Sequence, residues 1–411
     1  MEGSEKPVSE VAKPPQETKK ENVLMPLLIW VVIGILLGGV AYVAFFSGAP
    51  APPVPQPQAN TTVTPPSNAT QIASATATII SEPGCPECNS TELLLAQIIS
   101  SGPQMKLNIT AVTPLSRGSP QADALISQYS IKKLPALVLS KGAADSAAFS
   151  SAWANVGGIK ATDGSLVFQE PYPPYYDVTT GKTVGLVSLT VIPAPNCLDC
   201  FNTSKLVDSL SGSQVRMTFS SRVTLAANST DGIALIKKYN ITRLPAMFLS
   251  PDASAYPAVA GGWSQLGTIE PDGWFVYRST MPPYVDLARN NTQVGLVSII
   301  ELTDPNCTAC YDVGEHYQSL SASLGMVFTN RTRYNITSPQ GMKLLVKYNI
   351  TEVPTVLLSP QAFAYPAINQ SYSQVGTLES DGWLVYRNLS ALNVVYKDLT
   401  TGKVSGTPST G

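Results

Sequence analysis

All six cysteines of the chain fall in three Cys-x-x-Cys pairs, within "EPGCPECN" (82–89), "APNCLDCF" (194–201) and "DPNCTACY" (304–311). Two thiols at that spacing can ligate a metal, close a small disulfide loop, or cycle between dithiol and disulfide. A structural zinc site takes four protein ligands, whereas each pair supplies two, and the single histidine, His316, belongs to the last pair's neighbourhood alone. A metal therefore fits poorly, and His316 reads as a helix-surface residue. Closing a four-residue loop stabilises by only about 2 kcal/mol, against roughly 4 for a loop of 50 residues, so a purely structural bridge would gain more by spanning further. The staple reading stays open because an oxidising compartment supports it as well.

The pairs recur because the chain repeats. Cys85, Cys197 and Cys307 are each followed by a "Y-x-I-x-x-[LV]-P" element ending in Pro135, Pro245 and Pro354, and then by an Asp-Gly turn whose Asp163, Asp272 and Asp381 lie 109 residues apart. Within a repeat, "GLVSLTVI" and "GLVSIIEL" have the length and β-branching of strands and lead directly into the cysteines. Amphipathic starts such as "TSKLVDSL" follow as helices, then a strand ("MKLNITAV"), a helix ending in the Tyr of the proline element, an apolar strand ("AMFLS") and an Asp-Gly hairpin. The predicted order is strand, helix, strand, helix, strand, strand, an α/β sandwich on a mixed sheet. Boundaries fall near 182 and 292, which gives modules 72–182, 183–292 and 293–403 and a disordered tail 404–411.

Ahead of the repeats, residues 23–46 carry no charged side chain over 24 residues. As a helix that run extends about 36 Å, enough to cross a hydrocarbon core of about 30 Å. Lys13, Lys19 and Lys20 precede it and no Lys or Arg follows before Lys106, which places 1–22 in the cytoplasm as a tail and everything beyond 46 outside. The run exceeds the core of a cleaved signal peptide, so an uncleaved transmembrane anchor is expected. Residues 47–71 are rich in Pro and Thr and poor in large apolar residues, and read as an extended stalk of up to roughly 75 Å. Fourteen of the 19 asparagines stand in Asn-x-Ser/Thr, all after the apolar run, which suggests a glycosylated surface. With 26 basic against 28 acidic residues the chain has no field for a polyanion, and nucleic acid is excluded as a partner.

The Cys-x-x-Cys pair joined to "Y-x-I-x-x-[LV]-P" resembles the thioredoxin-like superfamily, and "YNITEVPT" of the third repeat matches the family's proline element closely. The resemblance covers about four-fifths of the chain in three copies, and cysteine and proline stand 50, 48 and 47 residues apart. It implies a central mixed sheet flanked by helices, with each dithiol exposed at a helix N-terminus. It implies that Cys85, Cys197 and Cys307 attack or hold the mixed disulfide and that Cys88, Cys200 and Cys310 resolve it. It also implies that Pro135, Pro245 and Pro354 are cis, with the backbone of Leu134, Leu244 and Val353 available to an extended substrate. The chain departs from the family in having no Trp before the cysteines and no evident helix after the hairpin.

Between the cysteines stand Pro86-Glu87, Leu198-Asp199 and Thr308-Ala309. A neighbouring carboxylate opposes thiolate formation, so Cys307 is expected to be the most acidic. Acceptors at Asn89 and Asn306 adjoin two of the pairs and would crowd them if glycosylated. The expected function is a membrane-anchored, extracytoplasmic thiol-disulfide oxidoreductase or isomerase acting on thiols or disulfides of exported proteins. A membrane redox partner is expected to recycle it, and no bound cofactor is implied. The alternative is a glycosylated surface binding or scaffold protein whose disulfides are only structural.

Overall fold

The computed structural model describes residues 72–406. The tail 1–22, the apolar run 23–46 and the stalk 47–71 lie outside the described residues, and among those described no helix is long and apolar enough to cross a membrane.

Three sheet-plus-helix modules repeat along the chain. The first runs β1 (Ala73–Ser81), α1 (Ser90–Ser101), β2 (Leu107–Ser116), α2 (Pro120–Gln128), β3 (Lys133–Leu134), β4 (Ala136–Leu139), α3 (Ala147–Asn155), β5 (Ile159–Lys160), β6 (Leu166–Phe168), β7 (Tyr175–Asp177) and β8 (Lys182–Val184). The second repeats it as β9 (Leu186–Ile192), α4 (Thr203–Ser211), β10 (Thr218–Thr224), α5 (Thr230–Lys238), β11 (Arg243–Leu244), β12 (Ala246–Leu249), α6 (Pro257–Gly262), β13 (Gly267–Ile269), β14 (Phe275–Tyr277), β15 (Tyr284–Asp286) and β16 (Thr292–Val294). The third comprises β17 (Leu296–Thr303), α7 (Gly314–Leu324), β18 (Val327–Asn335), α8 (Pro339–Tyr348), β19 (Glu352–Val353), β20 (Thr355–Leu358), α9 (Pro366–Val375), β21 (Gly376–Leu378), β22 (Leu384–Tyr386), β23 (Tyr396–Asp398) and β24 (Val404–Ser405).

In each module the main sheet has the order β2-β1-β4-β6-β5 or its equivalent, with the first two strands parallel and the rest antiparallel. The central strand is covered on both faces, and its side chains divide accordingly. Met247 and Leu249 of β12 join one cluster with Trp263 and Phe275, while Ala246 and Phe248 join another with Ile192 and Val276. Burying one such side chain is worth about 1.5–3 kcal/mol, which explains the unbroken apolar run of this strand.

Local signals fix the second helix of each module. Ser119, Ser229 and Ser338 accept the amides of Ala122, Gly232 and Gly341 at 3.3, 3.1 and 3.0 Å, and Pro120 and Pro339 open their helices. That helix ends at the Tyr of the proline element, and the phenol reaches the Asp-Gly hairpin: Tyr129, Tyr239 and Tyr348 donate to Asp163, Asp272 and Asp381 at 2.8, 3.0 and 2.9 Å. Two sequence landmarks are thus the halves of one interaction.

Two parts of the expected order need correction. Helices α3, α6 and α9 stand between the proline strand and the hairpin, where none was expected. Segments such as "PPYVDLARNNTQV" are not bare connections but supply the middle strand and one edge strand of a second, three-stranded sheet (β11-β15-β16), whose other edge is formed by the residues before the proline. Because β8 and β16 belong to these sheets, one module hands over to the next at Gly185 and Gly295, slightly beyond 182 and 292. Likewise β24 pairs with β23, so the third module runs into the segment expected to be a disordered tail.

Candidate functional site

Each first strand ends in a tight turn that holds the cysteines, and all three pairs are disulfide-bonded: Cys85–Cys88, Cys197–Cys200 and Cys307–Cys310. The amides of Cys85 and Cys307 donate to the carbonyls of Glu82 and Asp304, both at 3.1 Å, which closes the turns. The helices begin only after the second cysteine, at Ser90, Thr203 and Gly314. The dithiols therefore precede the helix tip rather than occupy it. In the second and third modules the free amides there are taken by Asn202, which accepts from Ser204 at 2.8 Å, and Asp312, which accepts from Gly314 at 2.9 Å. Since the dipole's influence falls off within one turn, it assists a thiolate less than the sequence reading supposes.

The prolines stand as the resemblance implies. The peptide bonds Leu134–Pro135, Leu244–Pro245 and Val353–Pro354 are cis. Two further cis bonds, Pro173–Pro174 and Pro282–Pro283, were not anticipated. The proline carbonyls are anchored, Pro135 by the buried Thr91 hydroxyl at 2.9 Å, Pro245 by Thr280 at 3.2 Å and Pro354 by Tyr311 at 3.1 Å. Thr91 lies in the first turn of the helix after Cys88 and Tyr311 directly follows Cys310, so cysteine turn and proline loop are tied together in those modules. In the third, Cys310 Sγ lies 3.8 Å from the carbonyl oxygen of Val353. Leu134, Leu244 and Val353 are fully buried, and their backbones pair with Tyr176, Val285 and Lys397 of the small sheets. One side of each is thus already occupied.

Exposure separates the three pairs. Cys85 and Cys88 are 3% and 4% exposed, whereas the other four cysteines are half-buried. The expectation of an exposed first cysteine fails in the first module, where the turn packs inward.

The third module carries charges that sequence reasoning missed. Asp304 has a buried carboxylate that accepts the Asn306 amide at 2.9 Å and pairs with Lys397 at 2.7 Å. Burial alone would push that carboxyl up, but Lys397 and the Asn306 amide hold it below its ordinary value. Glu301, fully buried on β17, pairs with Arg331 at 2.8 Å and Arg333 at 2.7 Å, and Arg333 reaches on to Asp312 at 3.1 Å. The available signal was "RTR" at 331–333, two arginines on one face of a strand beside a glutamate in another. His316 is not a surface residue: its ring lies 5.2 Å from that of Tyr311 and 5.6 Å from that of Tyr386. Its Nε2 is buried without a hydrogen-bond partner, and burial lowers its pKa.

Of the glycan acceptors within the described residues, Asn335 is half-buried and the others, Asn89 and Asn306 among them, are exposed. Asn240 and Asn349 also have a structural reason to be asparagine, since both end a helix in the left-handed region at φ 48°.

No family model matches the chain, and no curated protein matches it. Among solved structures it is similar to full-length ERdj5, with 10% identity over 72% of this chain and 42% of that one and a TM-score of 0.14. It is similar to human ERp44 at 9% identity, over 70% and 79% of the two chains, also with a TM-score of 0.14. A third similarity is to a mutant of the Enterococcus faecalis alkylhydroperoxide reductase component AhpF, at 14% identity over 42% and 80%, again with 0.14. The chain thus spans less than half of the ERdj5 chain. The three modules share with one another a strand order, a dithiol turn and a cis proline.

Proposed function

We propose that the chain is a thiol-disulfide oxidoreductase or isomerase, anchored in a membrane by residues 23–46, whose second and third modules exchange disulfides with exported proteins outside it. The observation that carries this reading is the third module's half-buried Cys307–Cys310 bond, held against the Val353 carbonyl beside the cis proline. An extended client strand laid along the proline loop would present its sulfur to Cys307, and Cys310 would resolve the mixed disulfide from beneath. The apolar run, the Pro-rich stalk and the exposed glycan acceptors support the anchored, extracytoplasmic part of the proposal. Recycling calls for a partner redox protein, for which the membrane is the natural location.

For the first module a structural role is the better reading, because its sulfurs are sealed. The test is to replace the resolving cysteines singly with serine in the full chain. Cys200→Ser and Cys310→Ser should accumulate mixed disulfides with exported proteins, resolved by reduction, and Cys88→Ser should not. Absence of adducts from both of the first two would leave the scaffold reading in possession.

A further inference from the structure

The residue three places before the first cysteine differs among the modules: Glu82, Ala194 and Asp304. So does the small-sheet residue in register with the one before the cis proline: Tyr176 opposite Leu134, Val285 opposite Leu244 and Lys397 opposite Val353. In the third module these two places hold opposite charges in contact. In the second both are apolar. In the first, Glu82 pairs with Arg117, which lies 4.6 Å over the Tyr176 ring, but the sulfurs there are buried.

We infer that Asp304 and Lys397 are positioning residues that set the redox poise of Cys307–Cys310 and distinguish it from Cys197–Cys200, an inference that rests on the exchange reading proposed above. Both members of the pair adjoin the dithiol through the backbone. Asp304 belongs to the cysteine turn itself, its carbonyl accepting the Cys307 amide at 3.1 Å, while its side chain is 1% exposed and points to Lys397. Lys397 stands across from Val353, whose carbonyl touches Cys310 Sγ at 3.8 Å. The lysine side chain is 25% exposed, so the pair is screened less than one in open water.

The step it biases is balanced without further reactants. A client thiolate attacks Cys307 Sγ, the Cys307–Cys310 bond breaks, and its electron pair leaves on Cys310. The second client thiol, having lost its proton to water, attacks the client sulfur and expels Cys307 as a thiolate. The client is oxidised to a disulfide, and the module is reduced by two electrons. Negative charge develops on both cysteines, and the neighbouring ion pair is neutral as a whole. Removing its acid leaves a cation beside them, which favours the reduced state; removing its base leaves a buried anion, which opposes it.

The test equilibrates the full chain in glutathione buffers of graded ratio, then alkylates free thiols and reads the oxidised fraction of each pair by peptide mass spectrometry. Asp304→Asn should shift the Cys307–Cys310 equilibrium about tenfold toward the dithiol, or about 30 mV. Lys397→Met should shift it about as far toward the disulfide, the double variant should return near the starting value, and Cys197–Cys200 should not move. If Lys397→Met fails to fold, Lys397→Gln removes the same charge and is read in the same way. A pair that titrates normally while both single variants move it in one direction, or neither moves it, overturns the inference. A Cys307–Cys310 bond that stays closed across the whole buffer series overturns the exchange reading itself, and the inference with it.

Discussion

Cys310 Sγ sits 3.8 Å from the carbonyl oxygen of Val353, on the side of the disulfide that faces the proline loop. A bonded sulfur has no hydrogen to donate, so in the oxidised state this is packing. Once the bond opens, the Cys310 thiol meets a waiting acceptor and is favoured in its protonated form, while Cys307 lacks that partner. After reduction, Cys307 should therefore react with iodoacetamide about ten times faster than Cys310 near neutral pH. Peptide mapping of timed alkylations decides it, and equal rates would remove the division into attacking and resolving cysteines.

Gly185 and Gly295 join the modules with φ of +91° and +93°. A Cβ at Gly185 would lie 2.7 Å from Pro173 Cβ, and one at Gly295 would lie 2.5 Å from Pro282 Cβ, each in the cis Pro-Pro segment of the preceding module. Both carbonyls are fixed as well, Gly185 by Tyr256 and Gly295 by Tyr365, each hydroxyl donating at 2.8 Å. Substitution with alanine at either glycine combines backbone strain with a clash, and should cost about 2–4 kcal/mol. Denaturant unfolding of the full chain followed by limited proteolysis should locate the loss at the affected junction, and an unchanged midpoint would contradict it.

The Glu301 pairs are asymmetric in exposure, and mutation should reveal it. Glu301 is fully buried, whereas the side chains of Arg331 and Arg333 are 41% and 47% exposed and can turn to water if released. Replacing both arginines with methionine strands a buried carboxylate and should cost about 3–5 kcal/mol, more than Glu301→Gln does. A chemical-denaturation comparison in which Glu301→Gln proves the more damaging would show the arginines to depend on the glutamate instead.

His316 makes the third module sensitive to acid. Burial lowers its pKa in the folded chain, while the unfolded chain protonates at the ordinary value of 6.5. Between those two values the unfolded state binds more protons, so unfolding free energy rises with pH. The stability is fully present above 6.5 and is lost as pH falls through the folded value. Thermal unfolding should drop on acidification over this window, and His316→Phe, which keeps a ring between Tyr311 and Tyr386, should flatten that part of the drop. An unaltered acid limb would place the sensitivity elsewhere.

Much of the site was readable because its parts lie close in sequence or recur at one period. Cys-x-x-Cys specifies a turn within four residues, and the "Y-x-I-x-x-[LV]-P" element sits at a helix end whose Tyr, Ser cap and Asp-Gly partner all repeat. The second sheet was missed for a matching reason: strands of two or three residues, such as β11 and β15, are too short to display an alternating pattern. Helix α6 was missed because Pro257 and two glycines disguise its six residues.

Sequence alone determined the triplication, the α/β class and the company of each dithiol with a proline, since periodicity and local hydrogen bonding act over a few residues and survive being read one stretch at a time. Only the tertiary structure decided that Cys85 and Cys88 are sealed while the other pairs are not, and that Asp304 finds Lys397 across 93 residues. Burial and ion pairing depend on which strands lie side by side, and that neighbourhood exists only once the sheets have closed.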